Sequence, residues 1–137
     1  MTKVIQINEE QFLKLRQKIG IEKICENDIQ FIGYAKVIHM EGSSKYLPKH
    51  YNTWSDYWRE EIKTPIIPSN KVCDCCCEVK DEFVVGHITR LDNNENFLYP
   101  ICKECNDKGK GSGNNVFLAM ENVMQPFNLS HAYIEND

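Results

Sequence analysis

The sequence predicts an α+β protein in two parts: N-terminal helices with a short sheet, packed on a C-terminal module organised by zinc. Three observations carry that prediction. Seven cysteines fall in 137 residues, and four of them crowd into "VCDCCCEV", residues 72 to 79. Two segments carry apolar residues at helical spacing. Around them lie β-branched and aromatic runs punctuated by Gly, Pro and Asn, which suit short strands. The boundary falls at "TPIIPSN", where Pro65 and Pro68 cannot continue a helix. This gives an N-terminal α+β region, residues 1–69, and a zinc-binding module with a C-terminal extension, residues 70–137.

The elements follow in order. "VIQI" (Val4 to Ile7) reads as a short strand. Asn8 with Gln11 forms a capping box for the helix "EEQFLKLRQKI", in which Phe12, Leu15 and Ile19 share one face and Gly20 stands at the C-terminal cap. "IQFIGYAKVIHM" suits a strand or a hairpin arm, and "EGSSKYLPKHYN" a loop. Thr53 with Asp56 can cap a second helix, "WSDYWREEIK", whose Trp54, Tyr57, Trp58 and Ile62 make a broad apolar face. Such a stripe is either core or a docking face for a partner. "GKGSGNN" is a flexible link, with Lys103, Lys108 and Lys110 around it in a solvated or phosphate-contacting loop. The last stretch is a helix through Met124 or two short strands broken at Asn122.

Bulk properties exclude several classes. With 42% hydrophobic and 26% charged residues the chain belongs with globular domains. "MTKVIQINEEQF" turns polar before any apolar stretch of signal-peptide length, and no segment approaches ~18 consecutive apolar residues, so a cytoplasmic protein with no membrane partner is expected. Residues 1–70 hold 10 Lys/Arg and 9 Asp/Glu, a balance of +1, whereas residues 71–137 hold 6 and 11, a balance of −5. An acidic module is a poor electrostatic footprint for duplex binding, because nonspecific affinity comes from phosphate neutralisation.

The cysteines are the most specific signal. In a reducing compartment closely spaced cysteines serve as metal ligands more often than as disulfides, and an odd count argues against a fully paired framework. A zinc knuckle needs two thiolates from one tight turn, and C-x-x-C provides them. Within "CDCCC" only Cys73 and Cys76 have that spacing, and "CKEC" adds Cys102 and Cys105. The 25 residues between the pairs leave room for a hairpin. Four thiolates fill a tetrahedron, so this zinc is structural. A redox reading lacks the strand context that thioredoxin-like pairs show, and an iron–sulfur or bare-thiol site is the alternative to zinc. Cys75 points away from the metal, Cys77 stands where a knuckle usually has Gly, and Cys25 is a buried apolar residue.

Between the knuckles, "GHI" followed by "YPICKECN" resembles the zinc-knuckle version of the HNH endonuclease family, a treble-clef or ββα-metal fold. The resemblance spans roughly residues 70 to 110. It implies that His87 matches the family's general base, for which a near-neutral pKa suits, and that Asn106 matches the helix-borne His/Asn position. Gly86 stands where the family places an Asp or His ligand for a catalytic magnesium or manganese ion, so the cation site is degenerate. Asn96 falls near the family's middle Asn but out of register, and Asp92 and Asp107 are the carboxylates that could replace the missing ligand. His87 is thus open to three roles: a hydrogen bond across the hairpin, a catalytic base, or an alternative zinc ligand.

The expectation is a non-enzymatic binding protein on a degenerate HNH-like fold, meeting a protein partner through Trp54, Tyr57 and Trp58. A phage or mobile-element factor acting on a nucleic-acid-handling host protein is one setting this expectation fits. The alternatives are an HNH-type nuclease using His87, and a nucleic-acid-binding module without catalysis.

Overall fold

The computed structural model describes residues 3–109 and 116–134. Among them the order is β1 (Lys3–Ile5), α1 (Glu9–Ile19), α2 (Ile21–Glu26), β2 (Ile29–Phe31), β3 (Tyr34–His39), β4 (Tyr46–Pro48), α3 (Trp54–Tyr57), β5 (Phe83–Arg90), β6 (Asn96–Cys102), α4 (Lys103–Gly109), β7 (Phe117–Met120), β8 (Gln125–Pro126) and β9 (Ala132–Ile134). The chain is mixed α+β, as expected.

The expected capping box forms: the Asn8 side chain accepts from the Gln11 N–H at 2.8 Å, and the Gln11 side chain accepts from the Asn8 N–H. Gly20 ends the helix at φ 97, a left-handed value that favours glycine, and donates its N–H to Arg16 O. The buried face differs from expectation. Phe12 and Arg16 point inward, while Ile19 is 46% exposed. Phe12 stacks on Phe31 at 5.0 Å and meets Tyr34 edge-on at 4.4 Å, and with Ile24 and Leu118 these form a small N-terminal cluster.

β1 and β2 pair in parallel. The main sheet has the order β7-β3-β5-β6-β8 with every pairing antiparallel, and β4 pairs with β9 apart from it. The run Ile29 to Met40 therefore breaks at Ile32–Gly33 and feeds two sheets. The expected boundary at 69/70 runs through a shared structure: β3 sits between β5 and β7, and one buried cluster joins Val37 and Trp58 to Phe83 and Ile101. Of the two readings of the last stretch, the strands are found, with a turn over residues 121–123.

The second helix keeps only one α turn. Thr53 Oγ1 accepts from the Asp56 N–H at 3.0 Å, but after Tyr57 the chain widens into a π turn, Trp58–Ile62, closed by the Lys63 N–H on Trp58 O at 2.8 Å. Lys63 then turns left-handed at φ 67. Trp58 is fully buried and Trp54 nearly so, and their indole N–H groups donate to Thr64 O (2.8 Å) and Tyr46 O (3.0 Å). Burying ~200 Å² of ring at ~25 cal/mol/Å² stabilises by about 5 kcal/mol for each. Of the stripe expected as a possible docking face, Trp54 and Trp58 are core, while Tyr57 and Ile62 are half-buried, and the Tyr57 hydroxyl lies 2.9 Å from His131 Nδ1.

Candidate metal centre and adjacent cleft

The first knuckle is a tight loop closed by the Val72–Val79 bridge. Inside it the Cys77 N–H donates to Cys73 O at 2.7 Å and the Cys73 N–H to Glu78 O at 3.0 Å. Cys77 sits at φ 62, the conformation that makes glycine the common residue there. The second knuckle is the junction of β6 and α4: Cys102 ends the strand opposite Phe83, and Cys105 lies one turn into the helix. The expected hairpin, β5–β6, joins the two knuckles.

The sulfurs of Cys73, Cys76, Cys102 and Cys105 all lie within 4.8 Å of one another. Tetrahedral metal–thiolate bonds of ~2.3 Å place sulfurs roughly 3.8 Å apart, so the quartet has room for one ion. Backbone N–H groups already point at the sulfurs, Cys102 N to Cys73 Sγ and Cys105 N to Cys102 Sγ, both at 3.4 Å. Without a cation, the Cys105 thiol and burial push Cys73 up, and burial pushes Cys76 up to about 11. A divalent ion reverses that preference by favouring thiolates. The four expected ligands can therefore hold a metal ion.

The remaining cysteines are placed outside the quartet. Cys75 Sγ is 3.6 Å from His39 Nε2. Cys77 Sγ lies 3.8 Å from Asp74 O. Cys25 is half-buried against the N-terminal cluster, where burial pushes its thiol up to about 11.

A feature the sequence reading missed ties the knuckle to the N-terminal helix. Asp74, buried between the first two ligands, accepts from Arg16 Nη1 at 2.7 Å and from the Tyr99 hydroxyl at 2.6 Å. Tyr99 Oη in turn accepts from the Met120 N–H at 2.9 Å, and the Arg16 guanidinium lies 4.4 Å over the Phe12 ring. The signal was present: Arg16, four residues after Phe12, interrupts the apolar face of α1 with a charge.

His87 and Asn106 both border a cleft of about 500 Å³, with Arg59, Lys103, Asp107 and Ser43 among its other walls. Lys103, Asn106 and Asp107 share one face of α4 by their spacing. Lys103 is paired with Asp107 at 2.8 Å and Arg59 with Asp56 at 3.1 Å. His87 is only 9% exposed. Its ring stands edge-on to Trp54 (5.3 Å) and Phe127 (4.8 Å), and its Nε2 is sealed without a hydrogen-bond partner. Burial pushes its pKa down to about 4, leaving a neutral ring at pH 7. Nε2 makes no cross-hairpin hydrogen bond, and His87 stands apart from the metal quartet.

The other residues of the resemblance also have definite places. A Cβ added to Gly86 would lie 2.7 Å from Asn106 Oδ1 and 2.6 Å from Ile101 Cδ1, so the space of a ligand side chain is already filled. Asn96 Oδ1 accepts from Thr89 Oγ1 at 2.7 Å across the hairpin, and Asp92 pairs with Arg90 at 2.7 Å. Lys110, Gly111 and Gly113 lie outside the described residues. Among the described residues no helix is long and apolar enough to cross a membrane. No family model, curated protein or solved structure matches the chain.

Proposed function

We propose that this protein is a non-catalytic binding module in which a structural zinc ion, held by Cys73, Cys76, Cys102 and Cys105, fixes a treble-clef-like, degenerate HNH-like hairpin. The observation that carries the reading is the state of the two would-be catalytic positions. His87 Nε2 is shut behind aromatic rings, and the side-chain space at Gly86 is taken by Asn106 and Ile101. A general base must reach the water it activates, and a cation that stabilises a leaving oxygen needs ligands.

The partner is a protein with a basic face, in keeping with the −5 balance of residues 71–137; a nucleic-acid-handling enzyme of the host of a phage or mobile element fits that description. With the tryptophans buried, the contact surface moves to the C-terminal edge, where Leu129, Tyr133 and Ile134 are 59, 48 and 54% exposed.

The test is a plasmid-nicking assay with magnesium, manganese or neither, beside His87→Ala, with zinc quantified in both. No cutting with about one zinc per chain supports the reading; cation-dependent cutting lost in the variant overturns it. The nuclease reading draws on one observation, the sharing of a single cleft by His87, Asn106, Lys103 and Asp107, and requires the His87 ring to leave its aromatic pocket. A nucleic-acid-binding module without catalysis would show duplex affinity falling steeply between 50 and 200 mM salt, on the order of 10³-fold for six phosphate contacts.

A further inference from the structure

Two depressions of about 420 and 450 Å³ flank the cross-strand pair Tyr34 and Met120, and both also touch Glu9 and Asn122. They form one groove between the start of α1, the turn after β7 and the loop "TPIIPSN". The loop lends it Pro65, Pro68 and Ile67, the last 43% exposed. The charged residues on its walls are Glu9, Asp74, Glu121 and Arg16, and Asp74 already neutralises Arg16 at 2.7 Å. Glu9 and Glu121 are exposed at the rim, and Glu121 shares Arg90 with Asp92. The groove is thus apolar along the loop and acidic at its rim.

These carboxylates do not converge as ligands of one ion do: among the described residues the cysteine quartet is the only such group. Separated anions suit separated cations. The floor of the groove also holds an unmatched donor. Arg16 is 5% exposed, and its Nε is buried without an acceptor. The Phe12 ring covers its guanidinium at 4.4 Å and Asp74 takes Nη1, while the groove is where the side chain meets open space. Buried donors are rarely left unpaired in folded proteins, and a carbonyl lying in the groove would supply the acceptor. An extended peptide offers carbonyls, apolar side chains and cations together.

We propose that this groove docks an extended segment of the partner rich in basic and apolar residues. Its cations face Glu9 and Glu121, its apolar side chains lie on Pro65, Ile67 and Pro68, and one backbone carbonyl accepts from Arg16 Nε–H. The inference rests on the reading of a partner with a basic face, and it adds a second contact to the C-terminal edge. The same carboxylates disfavour nucleic acid here, because like charges repel.

The experiment titrates the full chain with a fluorescein-labelled heptapeptide of lysine and valine, beside the same peptide with glutamate for lysine. Anisotropy gives affinity, and N–H correlation NMR gives the place of binding. The expected result is saturable binding of the lysine peptide alone, with shifts at Tyr34, Met120, Asn122 and the Arg16 Nε–H signal. Glu9→Gln with Glu121→Gln, both at exposed positions, should weaken binding on the order of tenfold. Ile67→Ser should weaken it roughly threefold, and Leu129→Ser should leave it unchanged. Lysine-peptide shifts that fall on Leu129, Tyr133 and Ile134 instead overturn this inference and keep the basic partner, a result read on the parent chain and independent of how any variant folds. Undiminished affinity in the double glutamine variant, or no binding of either peptide at ~1 mM, also overturns it. Tighter binding of the glutamate peptide overturns this inference and the basic-partner reading together.

Discussion

The cysteine corner and the His87 corner lie on the same β5–β6 hairpin and hold the polar groups most suggestive of chemistry, yet they are built in opposite ways. At the corner four sulfurs converge within 4.8 Å and backbone N–H groups point at two of them. Around His87 the rings of Trp54 and Phe127 stand edge-on, and its Nε2 meets no polar partner. A donor atom's role is set by what shares its space. Several donors crowded together and buried favour a cation, whereas one donor among hydrocarbon favours its own neutral form.

The largest effect expected is from taking the metal away. In small zinc modules metal binding supplies about 10–16 kcal/mol at pH 7, and here the four cysteines that can hold an ion flank the β5–β6 hairpin on both sides. Chelation, or Cys73→Ser, is expected to abolish cooperative unfolding of the β5–β6 unit, seen as loss of amide-exchange protection there. Protection that survives chelation would mean that sheet pairing with β3 suffices, and would erase the contrast between the two corners.

The next effect tests how far the corner's influence spreads. Arg16→Met leaves Asp74 with one of its two partners, and stranding a buried charge costs about 3–5 kcal/mol. Asp74→Asn added to that variant should recover part of the loss, since the amide oxygen still accepts from Tyr99. Urea titration of the single and double variants measures both. Additive losses would show that Arg16 acts through Phe12 packing and not through the knuckle.

His87 gives the opposite pattern. His87→Ala opens a hole among Trp54 and Phe127 and should cost about 2–4 kcal/mol, while His87→Phe removes an unpartnered nitrogen and should leave stability at pH 7 unchanged or improved by up to about 1 kcal/mol. The acid response supplies a second readout. With the folded pKa near 4 below an unfolded value of ~6.5, the unfolded chain binds the extra proton, so this contribution is whole above pH 6.5 and fades as pH falls toward 4. The full loss is on the order of 3 kcal/mol. His39, lowered by burial as well, adds in the same direction. His87→Phe should flatten the slope between pH 6.5 and 4 relative to the parent. An unchanged slope would mean that the ring already meets water when folded, which would revive a catalytic role.

The two corners also differ in how plainly residue order announces them. The metal ligands are legible because a knuckle is local: two cysteines three apart in a tight turn need nothing distant to define them. The capping box at Asn8 and Gln11 is legible for the same reason. The fate of His87 is decided by Trp54 and Phe127, at sequence distances of 33 and 40 residues, which no spacing rule encodes. The tryptophan stripe misleads similarly, because an apolar face looks alike whether a sheet or a partner covers it. No local pattern links Arg16 to Asp74; only their 58-residue pairing gives either a purpose.

The smallest expected effect isolates the knuckle's own geometry. Cys77 is held at φ 62, where a side chain with a Cβ costs of order 1–3 kcal/mol relative to glycine. Cys77→Gly relieves that cost but adds freedom to the unfolded chain, an opposing term of about 0.4–1 kcal/mol. The net expectation is a stabilisation of about 1 kcal/mol, read as a raised thermal midpoint in protein loaded with a metal ion. The thiol has only a long contact to lose, 3.8 Å to Asp74 O. A lowered midpoint would therefore assign the Cys77 side chain a packing role beside Arg16 and Asp74, and would make the first knuckle depend on its neighbours as His87 does on its rings.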